Sequence, residues 1–468
     1  MSLGRRELLT GGAAVGMAGL IGVGTRRSVA GSDVDGSWVA DWGEQDPPEP
    51  YDAYDEDEDR HVVSTEGDGD FQTIQAAVDA ADPRDLILVE PGVYHEEVEI
   101  HDTSHLTIRG TDRSEVILDG EFERYNGIVS TRPHTVVENL TVRNYNANGV
   151  YWISDTIAEP IRGYRGSYLT AYNNRVYGIY ARNAEHGRFE HCYASGCDDA
   201  GFYIGESQPA HAVITDCLAE HNAMGYSGTN AGGDLVIRNS TWRDNMTGIV
   251  PNTLDSQAGA PQGHAAGGIL LEDNHVHDNN DLSVPAIANA YAIYGTGIAV
   301  AGGQRNVVRN NTIEDQHKYG VVVFPMLTDT APARLPLRLL RGFAPGVTDD
   351  RFYSPEDNVV AENVVRGSGR VDIALAAPAR GNVFDGNDFG SSRPALVEHR
   401  DGSFGDPMVF LQVLKDFTQT EVGDYPRGRT EDQPVPDPAA VRAALDEYEM
   451  EAPRETPPRT PLGGIGDE

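Results

Sequence analysis

Lysine is almost missing from this chain. Of its 36 basic residues only Lys318 and Lys415 are lysines, against 73 acidic ones, and the formal net charge is −37 over 468 residues. No basic footprint exists to release counterions from a phosphate backbone, so nucleic acid is excluded as a partner. Dense carboxylates keep a surface hydrated in concentrated salt, and salt adaptation is the plainest reading of the charge. At about 1 M salt the Debye length is only about 3 Å, so the charge does not bar an acidic ligand. Cysteine is scarce as well. Cys192, Cys197 and Cys217 make no CxxC pair and no zinc spacing. Packing, not a disulfide framework, must therefore hold the fold. Only 39% of the residues are hydrophobic, which suits a long, thin core. Beyond the N-terminus no stretch approaches the ~20 apolar residues needed to span a bilayer.

Arg5-Arg6 is followed by an apolar, Gly/Ala-rich run from Gly11 to Gly24 and by the small-residue exit Ser28-Val29-Ala30. Residues 1–30 resemble a twin-arginine export signal. The expected location is therefore outside the cell or on its surface, with no membrane span once the signal is cleaved. Residues 31–62 combine Asp46-Pro47-Pro48-Glu49-Pro50 with an acidic run from Asp52 to Asp59, a composition that cannot bury a core. They read as a disordered linker. An amphipathic segment from Asp70 to Ala81 then precedes the buried strand Leu86–Val89, with Pro91–Tyr94 read as a turn.

Repetition is the dominant feature. A glycine followed by an apolar residue recurs at Gly127, Gly149, Gly178, Gly201, Gly225, Gly248, Gly297 and Gly320, in steps of 22, 29, 23, 24, 23, 49 and 23 residues. A second register aligns Val137–Val142 with Ile214–Ala219, Ile237–Trp242 and Leu271–Val276. Such a unit cannot bury its apolar side alone. Stacked copies pair as parallel strands about 4.8 Å apart and place like residues in columns. Asn311, Asn363 and Asn387 form one such column, suited to an amide ladder at a turn. Cys192 and Cys217 share it, as small buried thiols in the first instance and as a disulfide in the alternative. The expected fold is all-β: a single parallel β-helix solenoid over residues 63–400, a capping helix at its start, and a C-terminal cap and disordered tail over 401–468. The inserts at 252–267 and 326–357 read as loops.

The opening through Tyr94, the Gly-apolar rungs and the Asn ladder resemble the pectin-lyase-like superfamily of right-handed parallel β-helices. Within it the chain is most similar to the secreted carbohydrate-binding and sugar-hydrolase repeat proteins. The resemblance covers roughly residues 63–395. It implies polysaccharide lyases, hydrolases, esterases and epimerases, and binding-only members too. No segment matches the two-aspartate, Gln and Arg motifs of pectin methylesterases, the Asp-Pro-His-Asp of alginate epimerases or the Arg-Ile-Lys of polygalacturonases. Fold likeness therefore supplies no chemistry.

Strand alternation points Ile179, Phe202, Tyr226 and Ile249 inward and Tyr180, Tyr203, Ser227 and Val250 outward. Tyr151, Tyr180 and Tyr203 then form an outer column whose rings suit a sugar chain, or else surface cover under a loop. Arg182 lies next to Tyr180 on the outward face, and polar rows flank the strand: Asn183, Glu206, Asn230 and Asn252 beyond it, Asp198, Asp199, His221 and Asp244 before it. The candidate catalytic residues are Asp198, Asp199, Glu206 and His221. The candidate substrate-binding residues are Tyr151, Tyr180, Arg182, Tyr203, Asn230 and Asn252. Arg182 is a candidate cation for a uronate, and calcium held by Asp198 and Asp199 through oxygen ligands is the alternative. His275 and His277 lack a Cys or carboxylate constellation, so no transition-metal site is expected. Lys318 reads as a surface residue. The expected partner is a polysaccharide and the expected state a monomer. Two functions stay open: an enzyme that is a lyase, epimerase or hydrolase, or a non-catalytic glycan-binding or cell-surface structural protein.

Overall fold

A computed structural model describes residues 60–154, 159–252, 268–287, 290–327, 352–399 and 402–421, with a few isolated positions besides. The export signal, nearly all of the linker, most of both inserts and the C-terminal tail lie outside the described residues.

Each turn of the chain contributes one short strand to each of three parallel sheets. Among the described residues these hold 12, 11 and 11 strands. The first sheet begins with Arg60–Val63 and Leu86–Val89, the second with Gly92–Tyr94, the third with Val98–Ile100. Gly92–Tyr94, read from sequence as part of a turn, is thus a strand. The register is strict: Ile179 pairs with Phe202, Phe202 with Tyr226, and Tyr226 with Ile249. All four lie in one continuous apolar core. Helix α1 (Ile74–Ala80) covers its open end with Ile74, Ala77 and Val78. The carboxylate of Glu96 accepts from the backbone N–H of Ile74 and Gln75 at 2.9 and 3.0 Å, satisfying two donors of the first turn.

The recurring glycines answer to close approach between coils. A Cβ on Gly178 would lie 2.7 Å from the Gly201 carbonyl oxygen, and one on Gly225 would lie 2.8 Å from that of Gly248. The corners between sheets need left-handed backbone. Where the first sheet passes to the second, His191, Asp216, Asn239, Asp273, Asn310 and Glu362 take φ values of 49–56°. Just beyond them runs the amide ladder. Asn274 Nδ2 donates to Asn311 Oδ1, Asn311 to Asn363 and Asn363 to Asn387, at 3.0, 3.0 and 2.9 Å. Cys192 and Cys217 occupy the same column in adjacent coils as buried free thiols. A second ladder runs through Asn222, Asn245 and Asn279, and a third through Asn306, Asn358 and Asn382.

Arginine does what lysine does elsewhere. Arg143 Nε donates to Asp119, Arg243 Nε to Glu220 and Arg309 Nη2 to Glu272, each pairing adjacent coils at 2.8–2.9 Å. A planar fork fits a carboxylate held one coil away better than a point charge does.

The corner from the third sheet to the first carries a file of imidazoles: His105, His134, His186 and His211, ending at Asp234. The His105 and His134 ring centres are 4.5 Å apart, and those of His186 and His211 are 4.9 Å apart. Burial lowers the pKa of His134 to about 4, helped by His105 and His186. Burial does the same to His186, helped by His211 and Arg162. A histidine depressed in the folded state stabilises above its ordinary value of 6.5, and that contribution is lost as pH falls through about 4. The melting temperature should therefore drop across that window. His186→Asn, which tolerates the left-handed corner, should flatten the drop in thermal melts monitored by circular dichroism. A slope identical to wild type would rule out a contribution from this file.

Candidate functional site

Most of the outer face of the third sheet, from Val129 to Ala374, is shielded from solvent. After Asn279 the chain leaves the coil and folds back along it. The N–H of Asp281 donates to the Asn245 carbonyl at 3.2 Å, that of Ile287 to Asp198 at 2.8 Å, and that of Gly295 to Met246 at 2.9 Å. This excursion adds Val284, Tyr291 and Ile293 to a second apolar layer, and helix α2 (Pro407–Glu421) adds Val409, Phe410, Val413 and Leu414.

Tyr151, Tyr180 and Tyr203 stand in register in one outward column, as alternation requires. The Tyr151 and Tyr180 rings stack at 4.2 Å and 5°. Their relative exposures are only 3%, 4% and 6%, so their faces belong to this layer and are not offered to a ligand at the surface. Tyr177 joins them, 4.5 Å from the rings of both Tyr180 and Tyr203.

Tyr177 leads to the chemistry. Its hydroxyl donates to Asp199 Oδ2 at 3.0 Å. Asp199 is 5% exposed. Burial pushes its carboxyl up to about 7; the Tyr177 bond pulls the other way and the neighbouring Asp198 adds to the rise. One coil on, at the same corner between the second and third sheets, stands His221. Its Nδ1 is 3.8 Å from Asp281 Oδ2, an ion-pair distance longer than a hydrogen bond. Asp281 raises the imidazole against the effect of burial, and His221 holds Asp281 below the usual carboxylate range. Asp244 follows one coil further, raised by burial. The corner thus carries Asp198 and Asp199, then His221, then Asp244 on successive coils, with Asp281 brought to His221 by the excursion.

Glu206 does not join them. It follows the six-residue strand Ala200–Gly205 that Asp199 precedes, which places the two roughly 20 Å apart at the rise of a strand. Glu206 takes a left-handed turn at φ 51° and accepts from Arg182 Nε at 2.7 Å. The candidate acid and the candidate cation therefore neutralise each other. Asn230 is the next such turn residue, at φ 54°, and its N–H donates to the Asn252 carbonyl at 3.1 Å. Asn252 is buried, with Nδ2 donating to Thr229 Oγ1 at 3.3 Å. These residues build the exit from the strand. A site converging on Tyr203 from both ends does not form, because strand length separates its halves.

Calcium fits this corner poorly. A carboxyl held at about 7 by burial and engaged by a tyrosine hydroxyl is a weak ligand. Among the described residues no cluster of three His, Cys, Asp or Glu side chains is placed to hold a metal ion. Lys318 is a correction of a different kind. It is 4% exposed and pairs with Asp416 of α2 at 3.1 Å. Sequence could flag it only by rarity, since its cover comes from a segment almost a hundred residues later.

The profile of the right handed β-helix region matches residues 98–255 and 162–325. The fold is a right-handed parallel β-helix. No curated protein matches this β-helix. Among solved structures, the A-module of a mannuronan C-5 epimerase from Azotobacter vinelandii is 15% identical. It covers 68% of this chain and 91% of its own, with a TM-score of 0.47. A mannuronic acid specific family 6 lyase from human gut microbiota is 12% identical over 70% and 82%, with a TM-score of 0.39. A pectate lyase is 13% identical over 82% and 89%, with a TM-score of 0.38. At these identities the likeness concerns how the chain is wound and nothing finer. No helix among the described residues of the β-helix is long and apolar enough to cross a membrane.

Proposed function

We propose that this β-helix is an exported polysaccharide-active enzyme that hydrolyses a glycosidic bond at the corner carrying Asp199. The observation that carries the reading is the divergence of two acids along this corner. Asp199 is pushed up to about 7 while Asp281 is held low. A carboxyl protonated near neutrality donates to a leaving oxygen, and an ionised partner serves as base or nucleophile. Equivalent positions lie about 5 Å apart on adjacent coils and about 10 Å apart two coils away. Glu220 pairs with Arg243, so His221 and Asp244 are such neighbours; Gly196 is the residue that faces His221, and Asp199 enters the corner three residues after it. His221, raised by Asp281, keeps that carboxylate ionised and oriented.

One observation favours the second reading, a glycan-binding protein without catalysis: Asp199 is withdrawn to 5% exposure beneath the tyrosine layer. A panel of neutral and acidic polysaccharides at high salt separates the two. New reducing ends without an ultraviolet-absorbing unsaturated product are the expected result. Unsaturated product would replace hydrolysis by elimination. Measurable binding with no product from any glycan would leave only the second reading.

A further inference from the structure

Far along the same corner from Asp199, a cavity opens between the coil wall and helix α2. Asn280, Tyr294, Asp315, His317, Lys318 and Arg370 line it, and Asp416 closes one side. Lys318 Nζ lies 4.3 Å from the centre of the Tyr294 ring and 3.1 Å from Asp416 Oδ2. Arg370 reaches the same carboxylate with Nη1 at 2.7 Å and Nη2 at 3.3 Å. Two cations thus converge on one carboxylate. An ammonium has three donors, and only one oxygen of Asp416 answers it. The remaining donors belong to a group 4% exposed at the wall of a cavity. Lys318 and Arg370 stand here against Asp315 and Asp416, so displacing Asp416 from the pair leaves the lining with one net positive charge.

Asp416 itself is oddly placed. Val409, Phe410, Val413 and Leu414 put the inner face of α2 into the second apolar layer. Asp416 follows Val413 by three residues, on that same face. It is 3% exposed, where a leucine would pack. Buried ion pairs add little stability over apolar residues of similar size, so packing alone does not explain the aspartate.

We propose that the cavity is a binding site for a carboxylate-bearing ligand and that Asp416 is its built-in competitor. The ligand's acid group takes Lys318 and Arg370 against the Tyr294 ring, and α2 is released from the third sheet as Asp416 leaves. The site does not depend on hydrolysis at Asp199, and its failure would leave that reading untouched.

The test uses malonate as probe, titrated by calorimetry into the full chain at constant ionic strength in chloride. Hydrogen exchange of α2 is followed in parallel. Asp416→Asn should bind malonate about tenfold tighter than wild type, a change of about 1.4 kcal/mol. Lys318→Gln should abolish binding in either background. Saturating malonate should speed exchange across Pro407–Glu421 in the wild type. Equal affinity in wild type and Asp416→Asn would overturn the proposal, as would binding that survives Lys318→Gln or exchange that malonate leaves unmoved. If Asp416→Asn melts the helix, Gln412→Ala replaces it. Gln412 Nε2 holds Asp416 Oδ1 at 3.2 Å. Freeing that oxygen should tighten malonate binding about threefold, in line with one modest hydrogen bond. No tightening there would also overturn the competitor.

Discussion

Asp199→Asn is expected to lower glycan cleavage by about 10²–10⁴-fold, the usual contribution of a positioned proton donor, while leaving the coil folded. The asparagine keeps the shape and still accepts from Tyr177, but it carries no transferable proton. In the wild type the rate should fall as pH rises through about 7, the value to which burial pushes this carboxyl. The variant should lose that limb. Stability should move the other way. A carboxyl whose folded pKa is raised stabilises the fold while protonated, and this is lost as pH rises from its ordinary value of 3.8 through about 7. The full span is on the order of 4 kcal/mol at about 1.4 kcal/mol per pH unit. Above pH 7 the asparagine variant should thus withstand more denaturant than wild type. Lower stability at every pH would show that the carboxyl is held for structure, and undiminished cleavage would remove it from the chemistry.

Asn311→Ala should be the most damaging single change to the fold. The amide is 1% exposed and makes bonds in every direction. Its Nδ2 donates to the Leu271 and Arg309 carbonyls, both at 2.9 Å, and to Asn363 Oδ1 at 3.0 Å. Its Oδ1 accepts from the backbone N–H and Nδ2 of Asn274, both at 3.0 Å. Alanine leaves all of these partners buried without a replacement, at about 1–3 kcal/mol for each group that finds none. A loss of about 4 kcal/mol in urea titrations is expected. Asn387→Ala, at the half-buried end of the same ladder, should lose about 1 kcal/mol. Equal losses would mean that the ladder is only a row of independent turns.

The winding of the chain was readable in advance because its physics is local and repeated. One period of about 23 residues, a glycine where coils touch, and an Asn where they turn carry the whole solenoid. Alternation also told which side each tyrosine takes, and Tyr151, Tyr180 and Tyr203 share a column as it required. The candidate site was legible only in part. Asp198, Asp199, His221 and Asp244 lie on successive coils of one corner, because the register that stacks the coils also stacks their corners. Glu206 was assigned to the far side of the strand and expected to converge with them, and the length of that strand keeps it away. Tyr177 carried a weak signal, as the residue before a repeat glycine. Asp281 carried none, since it arrives on an excursion with no place in the repeat.

Sequence by itself determined the coil, its rough limits, its inward and outward faces and the amide ladders, because each follows from neighbours one period apart. Only tertiary structure decided which outer face stays open. The excursion after Asn279 and helix α2 return over the third sheet, join the apolar layer that holds its tyrosines and bring Asp281 to His221 and Asp416 to Lys318. The energy of that return is spread over many apolar contacts between distant segments, and no periodicity records where a segment outside the repeat will land.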